Sequence, residues 1–269
     1  MWFCWIAGTR ALLQFNRPVR KNAMFLSRKH TLPVAALALL LLSIKAGGCQ
    51  RMGQEKPVVQ EPVLDPEVAG RIGVAEIKKL GGRIQVDDQN PKAVAAVHLP
   101  TTPITDADLA CLAKWTDLRL IDLSGTKISD AGLEHLQGLT RLQTLYLPFT
   151  RIKGEGLKFL SKLTQLQVLD LNKTPISDAA LKHLQNFSKL QILSLNETGI
   201  SDAGLIHLQG LTGLDRLDLS STQVTDAGMR HLYRLTQLVS LNLSHTPVTE
   251  KGRAELQKKL PNVTIKTNQ

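Results

Sequence analysis

The sequence predicts an α/β fold built as a stack of helix–strand units, and three observations carry that expectation. From Thr105 the chain repeats every 24 residues without an insertion, through six units that open at Thr105, Ser129, Lys153, Ser177, Ser201 and Thr225, and a degenerate seventh opens at Thr249. Within each unit the apolar positions are fixed. In the second unit Leu133, Leu136 and Leu139 stand at helical spacing, whereas Leu145 and Leu147 alternate as in a strand. Neither piece buries its apolar face alone, so units must stack, and a stacked array needs a cap at each end.

The elements follow in chain order. Residues 1–48 read as a leader: "SRKH" gives a positive flank, "TLPVAALALLLLSI" an apolar run, and "KAGGCQ" a small-residue exit ending on Cys49. A run of about 13 apolar residues is short for a membrane span and suits a signal-peptide core. Met24 opens a signal peptide of ordinary length by itself, so the true start is expected there or at Met1. Residues 49–65 are polar and Pro-bearing, without helical or strand period, and read as a flexible tether. The segment 66–104 is the expected N-terminal cap. It has a helix from Pro66 to Leu80 closed by Gly81 and Gly82, an alternating "RIQVDD", and a strand around Val97 to Leu99 in the same columns as Leu145 and Leu147. Six repeats occupy 105–248, and 249–269 is the C-terminal cap, where "LQKKLPNVTIK" gains one residue and puts Leu260 out of column.

Composition bounds the function classes. With 43% hydrophobic and 4% aromatic residues among 269, the core must be aliphatic. The net charge of +10 would suggest nucleic acid, but residues 1–48 hold seven Lys or Arg and no acid. Removing those seven from 33 leaves 26 bases against 23 acids, an ordinary balance, so no nucleic-acid partner is expected. Cys4 and Cys49 fall in the leader region, which leaves Cys111 alone and excludes a disulfide framework in the repeats; Cys111 reads as a small buried hydrophobe.

The pattern LxxLxxLxLxxTxI followed by [ST]DAGL resembles the leucine-rich repeat family over roughly Ala93 to Ile265. The 24-residue "TDAGL" variety is similar to that of leucine-rich repeat lipoproteins of planctomycete-type bacteria. The resemblance implies a short horseshoe solenoid, with parallel strands on its concave face and helices on its convex face, used to bind other proteins. Thr102, Thr126, Thr150, Thr174, Thr198, Thr222 and Thr246 stand where the family often has Asn, and are expected to satisfy backbone groups in the turn after each strand. The "AGGC" ending resembles a lipobox, which makes Cys49 a lipidation site holding the protein on the outer side of a bacterial membrane. Ala46 and Lys45 depart from the usual box, and plain secretion and an uncleaved anchor are the other readings of the leader.

The chemical candidates reduce to architecture. Asp106, Asp130, Asp178, Asp202 and Asp226 each follow a Ser or Thr that begins a helix, so N-capping and the helix dipole account for them. The unit at Lys153 lacks both residues, and its helix should start less firmly. His135, His183, His207 and His231 share a helix-edge column without the acid or thiolate that would complete a metal site. With no GxSxG, HExxH, P-loop or CxxC motif, no catalytic residue, metal or cofactor is expected.

Function is therefore expected on strand side chains that face away from the core. One column reads Asp122, Tyr146, Asp170, Ser194, Asp218, Asn242, with three acids, one aromatic and no base, which suits a basic or amide-rich partner. The preceding column brings Leu120, Val168 and Ile192, and with Tyr146 and Phe149 these form an apolar patch rimmed by Asp122 and Asp170. The expected binding residues are Asp122, Tyr146, Phe149, Val168, Asp170, Ile192, Asp218 and Asn242. The expected function is non-catalytic binding of a protein or peptide in the bacterial cell envelope. A structural, self-associating envelope protein is the second reading, and concentration-dependent self-association without added ligand would favour it.

Overall fold

The computed structural model describes residues 72–90 and 93–267. The leader, Cys49 and the tether lie outside the described residues, as does the expected helix start at Pro66. The described part opens with helix α1 (Ile72–Lys79). Gly81 ends it at φ 81°, and the Gly82 and Gly81 amides donate to the Ile77 and Lys78 carbonyls, a Schellman closure that needs the left-handed residue glycine supplies.

The sheet runs in chain order through nine strands: β1 (Arg83–Val86), β2 (Val94–His98), β3 (Leu120–Asp122), β4 (Thr144–Tyr146), β5 (Val168–Asp170), β6 (Ile192–Ser194), β7 (Arg216–Asp218), β8 (Ser240–Asn242) and β9 (Thr264–Lys266). The β1–β2 pair is antiparallel, and every later pair is parallel. From β3 to β9 equivalent residues pair at intervals of 24, so every concave column is also a row across the sheet. The sheet is open, and the architecture is a short leucine-rich repeat horseshoe.

The core is one aliphatic column beneath this sheet. The middle residue of strands β3 to β8 (Ile121, Leu145, Leu169, Leu193, Leu217, Leu241) and the leucine two positions on are buried, together with three apolar residues at helical spacing in each unit, which are leucine except at Trp115, Phe187 and Met229. Trp115 and Phe187 are the large aromatic exceptions. Cys111 is half-buried at the margin of the core rather than within it.

The helical pieces differ from the helix expected of each unit. Asp106–Lys114, Gly132–Leu136, Glu155–Lys162 and Asp178–Leu184 are 3-10 helices. Single α-turns appear only later, at α2 (Asp202–Leu205) and α3 (Asp226–Met229), each running on into a 3-10 turn. The physical reason is the leucine spacing itself. Residues at i, i+3 and i+6 align on one side at three residues per turn, whereas an α-helix would rotate them apart. The final unit, with its extra residue, forms the ten-residue helix α4 (Glu250–Lys259).

The threonine column does what its position suggests. Each hydroxyl of Thr102, Thr126, Thr150, Thr174, Thr198, Thr222 and Thr246 donates to the carbonyl three residues back, at 2.5 to 2.7 Å. The serine and threonine caps accept the expected backbone N–H at Ser129, Ser201, Thr225 and Thr249, whereas the Ser177 side chain at the start of its helix accepts none.

The aspartates do more than meet a helix dipole: each reaches the next unit. Asp178 accepts from the Ser201 amide at 2.8 Å and its hydroxyl at 2.6 Å, and Asp106, Asp202 and Asp226 treat Ser129, Thr225 and Thr249 alike. Asp130 accepts three amides, from Lys153, Gly154 and Gly156. This inter-unit ladder skips one rung. Gly154 holds the aspartate position at φ 110°, and among the described residues Ser177 receives no carboxylate from the unit before.

Candidate functional site

The strands show how the concave surface is made. In β3 to β6 and in β8 the middle residue of the strand is buried, and its two neighbours turn outward and are half-buried by the flanking strands. Two parallel rows result. One runs Leu120–Thr144–Val168–Ile192–Arg216–Ser240, the other His98–Asp122–Tyr146–Asp170–Ser194–Asp218–Asn242–Lys266.

Of the expected site residues, Asp122, Tyr146, Val168, Asp170 and Ile192 come together on adjacent strands β3 to β6, and Asp218 and Asn242 continue the second row on β7 and β8. Phe149 stands elsewhere, in the turn after β4. It is 59% exposed, and its backbone is left-handed at φ 58°.

That left-handed residue belongs to a further column that the leucine pattern conceals. Thr101, Gly125, Phe149, Lys173, Glu197, Ser221 and His245 all have φ between 52° and 68°. The turn that reverses the chain out of each strand requires it. Holding a bulky side chain there costs about 1 kcal/mol or more relative to glycine. Lys173 sits over the Phe149 ring at 4.9 Å and pairs with Glu197 at 3.0 Å, so a cation–π contact and an ion pair link three units along the rim.

The acids of the second row have a local role as well. Asp122, Asp170, Asp218 and Asn242 each use Oδ1 to accept the amide two residues on, at Ser124, Asn172, Ser220 and Ser244. These are Asx-turns closing each strand, and the D-x-S, D-x-N and N-x-S spacing is the signal from which they are readable. In the three aspartates this leaves Oδ2 for other partners. At the ends of the row His98 Nδ1 lies 3.9 Å from Asp122 Oδ2, and Asn242 Nδ2 donates to Asp218 Oδ2 at 3.1 Å. In the middle, Asp170 Oδ2 has no partner among the described residues.

Burial without a counter-charge pushes the Asp170 carboxyl up to about 6, with Asp218 and Asp122 adding to the rise and the Asn172 amide opposing it. The Tyr146 phenol is raised for the same reasons, burial first and then the Asp170 and Asp122 charges. The exposed base of this face, Arg216, turns to Asp215 at 3.7 Å.

The histidine column resolves into inter-unit hydrogen bonds. Gln185 Nε2 meets His207 Nδ1 at 3.2 Å, and Gln209 Nε2 meets His231 Nδ1 at 2.7 Å. His183 Nε2 is buried without a hydrogen-bond partner among the described residues, and Ser161 stands at the position equivalent to those glutamines. No group of three His, Cys, Asp or Glu residues converges as a metal site among the described residues.

Residues 188–248 match a family model described as Leucine rich repeat, and residues 116–136 match a second with the same description. These segments are leucine-rich repeats, and the units between and beside them continue their 24-residue period. No curated protein matches it in sequence. Among solved structures, this leucine-rich repeat chain is similar to internalin C2 from Listeria monocytogenes, at 20% identity over 74% of this chain and 93% of that one, with a TM-score of 0.52. It is also similar to a second internalin from that organism, at 19% identity over 73% of this chain and 67% of that one, with a TM-score of 0.46. At such identity the likeness is one of fold. No helix among the described residues is long and apolar enough to cross a membrane.

Proposed function

We propose that this leucine-rich repeat protein is a non-catalytic binding module that holds a protein or peptide against its concave sheet in the bacterial cell envelope. One observation carries the reading. Tyr146, Val168 and Ile192 lie half-buried on adjacent strands beside Asp122 and Asp170, which combines an apolar centre with acidic neighbours and with no lysine or arginine on β3 to β6. Interaction faces have that composition, whereas a purely structural sheet would satisfy its charges internally. The use of leucine-rich repeats as binding scaffolds supports the same conclusion.

The leader supports export, and the small-residue sequence before Cys49 supports a lipid anchor at that cysteine. Mass spectrometry of the mature N-terminus should find a diacylglyceryl-modified Cys49; an unmodified start elsewhere removes the anchor.

The binding face is tested by capture from envelope extract with three baits. Wild type and a convex-side variant, Lys158→Ala with Lys182→Ala, should recover the same proteins, and Tyr146→Ala with Asp170→Ala should lose them. Equal recovery by all three refutes the concave site.

A further inference from the structure

We propose that the concave face receives a basic peptide in the polyproline II conformation, laid across the strands with a lysine or arginine at every third residue. The inference rests on the concave-face reading and adds the conformation and spacing of the ligand. Its basis is the register of the unpartnered sheet face. Beside the apolar row Leu120–Thr144–Val168–Ile192, the second row alternates carboxylate and uncharged side chain: Asp122, Tyr146, Asp170, Ser194, Asp218.

Neighbouring strands lie about 4.8 Å apart, so carboxylates on every second strand recur at about 9.6 Å. A polyproline II chain rises about 3.1 Å per residue with three residues per turn, so side chains at i, i+3 and i+6 point the same way at intervals of about 9.3 Å. The mismatch is about 0.3 Å per carboxylate. Other conformations do not fit. An extended β-peptide repeats its face every second residue, at about 6.7 or 13 Å. An α-helix returns to one face after seven residues, at about 10.5 Å, and drifts by about 1 Å per step.

Charge and shape agree with this spacing. Nothing among the described residues donates to Asp170 Oδ2, and no cation stands in the row between Asp122 and Asp218. A guanidinium placed there supplies the missing counter-charge, and bidentate contact with a carboxylate is its preferred geometry. Tyr146, half-buried between Asp122 and Asp170, presents an aromatic flank to the residue between two basic side chains, which suits proline. Val168 and Ile192 extend the apolar floor alongside.

The experiment measures, by fluorescence anisotropy, the binding of a labelled nine-residue peptide of three Arg-Pro-Pro triplets to the protein. Its control permutes the same nine residues to put arginine at the first, third and fifth positions. The triplet peptide should bind at least about tenfold more tightly, and Asp170→Asn, which keeps the side chain's size, should abolish the preference. Equal affinity for the two peptides overturns the proposal. If both are then weakened by Tyr146→Ala, the concave site itself stands and only the register fails. Absence of binding by either peptide also overturns it, and the envelope-capture experiment decides the concave-face reading separately.

Discussion

Asp170 carries the sharpest consequence at the scale of single residues. Its carboxyl sits at about 6 against an ordinary 3.8, chiefly through burial, with Asp122 on β3 and Asp218 on β7 adding and the Asn172 amide opposing. Among its row neighbours, Ser194 on β6 does not titrate and Tyr146 on β4 is neutral in this range. The raised value means that folding favours the protonated acid. The stabilisation is therefore complete below the unfolded value and lost as pH rises through about 6. Asp170→Asn should flatten this dependence: the urea midpoint of wild type, compared with the variant's, should fall between about pH 4 and pH 7. Parallel profiles would show that Asp170 is as solvated as a surface acid. The same titration predicts weaker capture of a cationic ligand as pH falls through about 6, because the acid that attracts it becomes neutral. Little of this was legible in the sequence. The outward position of Asp170 followed from strand alternation, but its burial depends on the side chains of two neighbouring strands. Phe149 belongs to the apolar patch expected from the sequence, yet its left-handed backbone and its Lys173 neighbour come from the turn, which the leucine spacing does not reveal.

Within the repeat unit, the ladder of aspartates explains a coordinated departure. At Gly132, Gly204, Gly228 and Gly252 an added Cβ would lie 2.0 to 2.5 Å from the carboxylate of Asp106, Asp178, Asp202 and Asp226 respectively, so carboxylate and glycine fit as a pair. In the third unit the carboxylate is replaced by Gly154, and the partner position 26 residues on is Ala180. Any Cβ at Gly154 would fall 2.2 Å from that of Ala180. Gly154→Asp alone should therefore destabilise, by about 2 kcal/mol or more, through its backbone at φ 110° as well as through the contact, and Ala180→Gly should recover only the steric part by reopening the space. A double-mutant cycle by chemical denaturation measures the coupling; additive effects would show that the two positions are independent. The capping serines and threonines were readable because that chemistry lies within the unit. The aspartate bridges were not, because sequence spacing within a unit says nothing about which group of the next unit comes within reach. The 3-10 character was implicit in leucines three apart, a spacing that an α-helix approximates and a 3-10 helix meets.

At the scale of the whole solenoid, stability is a sum over neighbouring interfaces, so the missing rung marks the weakest seam. Hydrogen exchange should show faster opening at the Ser177 amide than at those of Ser201 and Thr225, which donate to Asp178 and Asp202 at 2.8 and 2.7 Å. Uniform protection across the three would mean that aliphatic packing outweighs the ladder. The array itself was legible to a high degree, since six copies of one period leave the register no freedom and the sheet repeats it at intervals of 24.

The pairing of aspartate with glycine, and of Gly154 with Ala180, also bears on how such a gene changes length. Units that look interchangeable in their leucines carry mating ends of two kinds. Excision of residues 153–176 would bring Asp130 against Ala180, a carboxylate against a methyl group, whereas excision of 177–200 would leave Gly154 opposite Gly204 with a void between them. Only cuts that join like ends are silent, so recombination within this chain is expected to respect a compatibility that the repeat consensus does not display.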